Sequence, residues 1–249
     1  DRSSLDLTSD QLDNNLQQGK KPHWRFKLED KIISWVDLIK GEVFFDSKNL
    51  SDPVLIREDG SLLYHLPSVI DDITENITDI IRGEDHISNT AYHIQIFKAL
   101  GSSIPNFAHH PFLTDNEGKG FGKRIGSLSI ESLKNEGYEN ITLLNYLLNI
   151  GSSNDVIAEK NIEVLVNNFN LKNISSSSPK FSKEVLKSLN KDILQSYKSN
   201  EISFRIVELS KNLPQDKLWQ FVKNNISFFL EIKNWIEVIN SKNNVFEKN

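Results

Sequence analysis

Three groups of side chains in this sequence have the types and spacing for chemistry. The first is Ile80-Ile81-Arg82-Gly83-Glu84-Asp85-His86. A short apolar run that ends in an arginine and a glycine has the texture of a buried parallel strand. Open α/β sheets bind ligands at the carboxyl ends of such strands. Arg82 can clamp a carboxylate with two parallel N–H···O bonds, and Asp85 can accept from ribose hydroxyls. The plainer alternative is a solvated strand-to-helix loop with a capping Asp. The second group is Asn116-Glu117-Gly118-Lys119-Gly120-Phe121-Gly122-Lys123-Arg124. Glycines interleaved with cations make a loop able to close over phosphates. It does not match the phosphate-binding loop in which Gly-Lys precedes Ser or Thr, and a basic surface turn stays open as the alternative. The third group is His86, His93, His109 and His110. His109 and His110 must point to opposite sides of a strand, and none of the four forms a His-x-x-x-His pair on a helix. A metal site is therefore disfavoured.

The elements that position these groups are readable from periodicity. Thr8-Ser9-Asp10 offers N-cap residues for a helix over Leu12 to Gln18. His23–Leu28, Ile32–Val36, Gly41–Asp46 and Pro53–Arg57 have strand texture, the last leading to the turn Glu58-Asp59-Gly60. Leu62–Leu66 opens a helix or helix-loop that continues through Asp72. Asp79–Gly83 and Pro105–His109 read as strands on either side of a helix. Ser88 or Asn89 would cap that helix, Tyr92, Ile96, Phe97 and Leu100 would share one face, and Gly101 would stop it. Strand, helix, strand in this span is one βαβ unit, half a doubly wound domain at most. From Ser129 onward the pattern is helical, with one face formed by Ile162, Leu165, Val166 and Phe169. Later helices are expected around Val185–Leu194, Ile202–Leu209, Leu218–Phe229 and Ile232–Ile239, and Ser175–Pro179 reads as a linker.

Composition limits the function classes. The chain has 249 residues, 38% hydrophobic and 25% charged, which is enough apolar material for real cores and suggests two or three modules. Zero cysteines exclude a disulfide framework, a Cys-ligated zinc and a Cys nucleophile. Zero methionines, with a start at Asp1-Arg2-Ser3, lead us to expect a processed or truncated beginning. No apolar run approaches the roughly 20 residues that span a bilayer, so no membrane partner is expected. The formal net charge of −5 conceals a division. Residues 1–118 carry 11 Lys and Arg against 20 Asp and Glu, and residues 119–249 carry 18 against 14. A basic back half permits a polyanion partner, although well-solvated Lys-rich helices give the same count.

The motifs also follow one another in the order of a known family. The stretch Leu55-Ile56-Arg57-Glu58-Asp59-Gly60-Ser61-Leu62-Leu63-Tyr64-His65-Leu66 is followed by Val69-Ile70-Asp71-Asp72. Then come Thr78-Asp79-Ile80-Ile81-Arg82-Gly83-Glu84-Asp85-His86-Ile87-Ser88-Asn89-Thr90 and Ala99-Leu100-Gly101. This resembles the core of bacterial glutamyl-tRNA synthetases, which are class I aminoacyl-tRNA synthetases. Trp24-Arg25-Phe26 and Asp37–Val43 resemble that family's acceptor-stem-binding insertion. Leu143–Leu147 resembles its stem-contact region, and Pro179–Asn190 the entry to its anticodon-binding helices. The resemblance covers most of residues 1–195.

That resemblance implies a fold class of α/β plus all-α: an incomplete Rossmann-like class I catalytic domain with an α+β insertion, then a helical stem-contact and anticodon-binding region. The implied division is 1–60 for part of the insertion, 61–118 for the second half of the catalytic domain, 119–174 for the signature loop and stem-contact region, and 175–249 for the start of the anticodon-binding helices. It implies glutamate–tRNA ligase activity with ATP and Mg²⁺ as the substrate complex, no zinc, tRNA(Glu) as partner with tRNA(Gln) left open, a monomer and a cytoplasmic location. Tyr64, Arg82 and Ser68 would hold glutamate. Asp85, His86 and Lys123 would lie on ATP, and Lys123 with Arg124 would be catalytic. The family writes its signature loop Lys-Leu-Ser-Lys-Arg, whereas this chain reads Gly120-Phe121-Gly122-Lys123-Arg124. Lys123 matches the lysine that stabilises charge on the phosphates. The first lysine and the serine are glycines here, with Lys119 one residue upstream as the substitute for the lysine. The family's N-terminal His-x-Gly-His is not found in the sequence. The expectation is therefore a middle piece of a longer enzyme, incomplete for catalysis by itself and with exposed sheet edges. The alternative is a non-catalytic tRNA-binding fragment or pseudo-synthetase.

Overall fold

The computed structural model describes residues 2–121, 129–152, 157–210 and 213–246, with side chains to residue 241. The chain forms two compact units, Asp1–Pro111 and Phe112–Asn249.

The first unit opens with α1 (Ser9–Gln17), started by a reciprocal cap. The Thr8 hydroxyl accepts from the Gln11 N–H, and the Gln11 amide oxygen accepts from the Thr8 N–H. Two short strands, β1 (Trp24–Arg25) and β4 (Val54–Ile56), pair antiparallel. The strand expected over His23–Leu28 is regular only at Trp24–Arg25, and its pairing ends where the Asp52 carboxylate takes over. The Phe26 N–H bonds to Pro53 O, and the Leu28 N–H bonds to the Asp52 carboxylate.

The main sheet holds β2 (Ile32–Asp37), β3 (Gly41–Asp46), β5 (Asp79–Gly83) and β6 (Asn106–His110) in the order β3-β2-β6-β5. β2 and β3 form an antiparallel hairpin, while β2, β6 and β5 run parallel. Side chains alternate across a strand, and the register therefore decides which of them meet. Asp37 lies opposite Phe107, and Arg82 opposite His109, so Asp37, Arg82 and His109 share one face. α2 (His65–Thr74) and α3 (Ile87–Ala99) pack on that face through Val69, Ala91, Ile94, Ile96 and Phe97, against Ile33 and Phe107. On the opposite face Ile32, Val36 and Phe44 are 69%, 69% and 63% exposed.

The strand–helix–strand reading of residues 79–110 is found as β5–α3–β6. Its details differ from expectation. Neither Ser88 nor Asn89 caps α3: the short 3-10 turn Glu84–His86 runs straight into the helix and leaves His86 at the N-cap. The buried surface of α3 is also wider than one stripe. Thr90, His93 and Gln95 are buried along with the apolar residues, while Leu100 is exposed.

The second unit is helical: α4 (Ile130–Glu136), α5 (Asn140–Asn149), α6 (Ile162–Asn168), α7 (Lys183–Ser196), α8 (Ser199–Leu209), α9 (Gln215–Val222) and α10 (Ile232–Phe246). Side chains of Ser129, Asn161 and Ser182 cap α4, α6 and α7. One core gathers Leu133, Ile141, Tyr146, Leu186 and Leu189, and another gathers Ile202, Ile206, Trp219, Val222 and Ile232. On α6 only Leu165 of the expected apolar face is buried. The helix expected over Leu218–Phe229 ends at Val222 in the 3-10 turn Lys223–Asn225.

The Ser175–Pro179 segment is tied down at both ends. The Ser175 N–H bonds to Gly151 O, and the Thr114 N–H bonds to Pro179 O. Gly151 has φ of +73°, and a Cβ there would meet Pro179 Cβ and Cγ at 3.0 Å. Both the left-handed backbone and the contact penalise any side chain. Gly151→Ala is therefore expected to cost about 1–2 kcal/mol, read as a lowered midpoint in urea unfolding.

Candidate functional site

The first unit concentrates polar side chains where β5 ends and α3 begins. Arg82 is the next-to-last residue of β5, on the helix-covered face. Among the described residues its guanidinium makes three hydrogen bonds, none of them to a carboxylate. Nη1–H donates to Tyr64 Oη at 3.0 Å, Nη2–H to Thr90 Oγ1 at 2.7 Å, and Nε–H to His109 Nε2 at 3.4 Å. It also stands over the Phe107 ring, 5.8 Å from the centroid. Burial lowers its pKa, against the opposing pull of Tyr64, Asp72 and Asp85. This cation is thus half-buried, and its hydrogen-bond partners among the described residues are Tyr64, Thr90 and His109.

Each partner is fixed in turn. Tyr64 immediately precedes α2, and its hydroxyl lies 3.2 Å from His86 Nδ1. Since that hydroxyl accepts from Arg82, its own proton is available to the imidazole. Asn89 Nδ2 also lies 3.1 Å from His86 Nδ1, and Asp85 Oδ2 stands 3.6 Å from His86 Nε2. On the other side of the guanidinium, Thr90 Oγ1 is 3.0 Å from His109 Nε2. His109 Nδ1 is 2.5 Å from Asp37 Oδ2, both side chains being fully buried. Asp37 Oδ1 accepts from the backbone N–H groups of Ile39, Lys40 and His109. Burial would raise the Asp37 carboxyl, but those amides and the His109 ring outweigh it and hold the pKa below the usual range. Burial lowers His109 despite Asp37. His93, buried on α3 with Nε2 3.2 Å from His65 Nδ1, is pushed down to about 3 by burial and then by the nearby Arg82, His65 and His86.

The structure brings together Tyr64, Arg82, Asp85 and His86 of the sequence candidates. Ser68 is half-buried one turn after Tyr64, its N–H bonded to Tyr64 O. Lys123 and Arg124 lie outside the described residues, as does Gly122. In the described part of that loop, the Asp115 carboxylate accepts from the N–H groups of Glu117 and Lys119, and Lys119 pairs with Glu117 at 3.3 Å. His110 is exposed on the opposite side of β6 from His109, as strand parity requires. Among the described residues no group of three or more His, Asp or Glu is placed to hold a metal ion. Sequence reasoning missed Asp37 and Thr90 and treated His109 only as a candidate ligand. Two signals were present: Asp37 and His109 each interrupt the apolar alternation of a strand, and Thr90 stands one turn after His86.

Residues 1–188 match the model of the tRNA synthetases class I (E and Q), catalytic domain. The chain belongs to this family. Relatives within reach of direct alignment agree. The glutamate–tRNA ligase 1 of Rickettsia prowazekii (strain Madrid E) is 43% identical over 239 residues, 96% of this chain and 53% of the relative. The glutamate–tRNA ligase 2 of Rickettsia canadensis (strain McKiel) is 40% identical over 98% of this chain and 55% of its own length. A crystal structure of a glutamate tRNA ligase from Elizabethkingia meningosepticum in complex with its amino acid superposes with a TM-score of 0.79 at 27% identity. It is matched over 94% of this chain and 52% of that one. The chain spans about half the length of the curated relatives it matches. A partial class I catalytic fold followed by helices is what the architecture of these synthetases and the two units here have in common.

Proposed function

We propose that the protein carrying this chain is a glutamate–tRNA ligase. It joins glutamate to ATP as glutamyl-adenylate and then moves the acyl group to the tRNA 3′ end. One observation supports this reading most directly: among the described residues, the half-buried Arg82 guanidinium has no carboxylate among its hydrogen-bond partners. A guanidinium has five N–H donors, of which three are engaged here. The two that remain are one on each terminal nitrogen, and a carboxylate can accept from both. Tyr64 sets one side of that grip, and Ser68 stands one turn further along α2. Asp85 and His86 extend the site toward an ATP ribose and adenine. They supply one carboxylate and one imidazole, a donor set that suits an ion brought in on the ATP phosphates better than one held by the protein. Lys123 and Arg124 are proposed to act on those phosphates. The helical unit is proposed to meet tRNA(Glu), and the protein to work as a cytoplasmic monomer. No helix among the described residues is long and apolar enough to cross a membrane.

The test is a calorimetric titration of the chain with L-glutamate. Arg82→Ala is expected to weaken binding at least about tenfold, the worth of a charge-assisted hydrogen bond, while Lys172→Ala leaves it unchanged. Equal affinity in the two variants would remove Arg82 from the site. The second reading, a tRNA-binding piece without catalysis, draws on Gly120 and Gly122, which stand where the family has a lysine and a serine. Glutamate-dependent ATP–pyrophosphate exchange separates the two readings for the intact protein, and the 249-residue chain alone is expected to show none.

A further inference from the structure

We propose that Asp37 is a positioning residue for Arg82: it holds the His109 proton on Nδ1, so that Nε2 remains an acceptor facing the guanidinium. The inference rests on the reading that Arg82 takes a carboxylate, and it concerns how the arginine is aimed.

Arg82 has only donors, so an imidazole nitrogen bonded to its Nε–H must present a lone pair. The Thr90 hydroxyl accepts from Arg82 Nη2–H at 2.7 Å, and its one proton has two acceptors within reach, His86 O at 3.3 Å and His109 Nε2 at 3.0 Å. The Arg82 contact is therefore the one that requires Nε2 to be unprotonated. A neutral imidazole satisfies this only with its proton on Nδ1, and Nδ1 faces Asp37 Oδ2 at 2.5 Å. The Asp37 carboxylate has no proton to offer in return, since its other oxygen already accepts three backbone N–H groups. Burial keeps His109 below its ordinary pKa, which agrees with a neutral ring. The groups facing that ring are Asp37 from β2, Arg82 from β5, Thr90 from α3 and His86 from the turn before α3. A carboxylate that fixes a histidine tautomer for a third group is the logic of the Asp–His pair in serine hydrolases, here applied to orienting an arginine.

The informative variant is Asp37→Asn. Its amide oxygen can go on accepting from Ile39, Lys40 and the His109 backbone. Its NH₂ would occupy the Oδ2 position and donate to His109 Nδ1, which moves the ring proton to Nε2 and sets two donors against each other at Arg82. The probes are ¹⁵N shifts of the imidazole, hydrogen exchange at Arg82 Nε–H, and the L-glutamate dissociation constant, all on the 249-residue chain. The expected result is an Nδ1–H tautomer in the parent chain and an Nε2–H tautomer in Asp37→Asn. Exchange at Arg82 Nε–H should quicken, and the dissociation constant should rise about tenfold. In a His109→Gln background the group facing Arg82 is an amide oxygen that needs no tautomer. Adding Asp37→Asn there should change the constant less than about twofold, the non-additivity expected of a shared path.

Three outcomes would overturn the proposal. The first is an Nε2–H tautomer in the parent chain, which needs no variant at all and therefore survives any folding defect. The second is an unchanged Arg82 signal in Asp37→Asn. The third is an equal effect of Asp37→Asn with and without His109→Gln, which would place Asp37's role in the β2–β3 turn. If the parent chain binds no glutamate while the tautomer and exchange readouts move as stated, the relay stands and the carboxylate reading falls.

Discussion

Lowering the pH from 6.5 to 4 is expected to remove several kcal/mol of stability from the first unit, part of it above pH 5, before most carboxylates are protonated. His93 carries the largest share. Its side chain is fully buried, its pKa is pushed down to about 3, and its Nδ1 has no hydrogen-bond partner among the described residues. In the unfolded chain the same imidazole titrates near 6.5. Between those two values the unfolded state binds a proton that the folded state refuses, so unfolding is favoured progressively as the pH falls. The slope for one such group is about 1.4 kcal/mol per pH unit. Integrated from 6.5 to 3 it reaches about 4–5 kcal/mol, against a total of roughly 5–15 for a domain. His65 and His109 are also lowered, chiefly by burial, and add in the same direction below pH 6.5. Asp37 and Asp52 have depressed pKa values. Their contribution is present above the unfolded carboxylate range and is lost in a lower window, as the pH falls toward their folded values. Urea unfolding at pH 7, 6, 5 and 4, followed by the fluorescence of Trp35 beside His109, reads the slope. His93→Gln should start less stable at pH 7 yet lose about 1.4 kcal/mol less per unit between pH 6 and 5. An unaltered slope in that variant would take His93 out of the account.

The acid-sensitive cluster leaves little local trace in the sequence. Arg82, Asp85, His86 and Tyr64 were legible because they cluster where a strand opens into a helix, and because their order resembles a known family. Most of the helices, the strand segments Ile32–Val36 and Gly41–Asp46 and the βαβ unit were legible from periodicity, whereas the antiparallel pairing of those two segments was not. His93 and Gln95 were not, since a helix is normally polar on one side, and here the polar side is buried as well. Gln95 is spent on the backbone of Glu29: its Oε1 accepts from the Glu29 N–H at 2.8 Å, far away in sequence. Asp37 belongs to the same class of surprise. Its environment is set by a strand 72 residues distant, and no local rule places a histidine there. Local elements follow from local spacing, whereas the protonation logic of a buried site follows from register between distant strands.

Asn190→Ala is expected to damage the helical unit as much as truncating a large core side chain. Asn190 lies on α7 and is fully buried, and its amide joins three segments at once. Oδ1 accepts from the Glu139 N–H at 2.9 Å and from the Thr142 hydroxyl at 2.8 Å, while Nδ2 donates to Ser227 O at 2.6 Å. The first two partners stand at the N-terminus of α5, where backbone N–H groups have no helical acceptor. Thr142 is itself fully buried, so water is not at hand to replace the amide. Truncation leaves two donors and one acceptor without partners and opens a cavity. At about 1–3 kcal/mol for each unsatisfied buried group, partly relieved by relaxation, the loss should be about 3–5 kcal/mol. The neighbouring Arg205–Glu139 pair, bidentate at 2.9 and 3.0 Å with the guanidinium 3.9 Å from the Phe229 ring centroid, braces the same joint from a wetter position. Arg205→Ala should therefore cost less, about 1–2 kcal/mol. Asn190→Asp tests the direction of the hydrogen bonds: a carboxylate keeps both acceptor roles but cannot donate to Ser227 O, and it buries a charge. It should be at least as destabilising as the alanine at pH 7 and should recover in part on acidification, as the protonated acid regains a donor. Urea midpoints read through Trp219, in the adjoining core, rank the three variants. An Asn190→Ala loss below about 1 kcal/mol, or an Asp variant indifferent to pH, would mean that the three partners are satisfied without the amide.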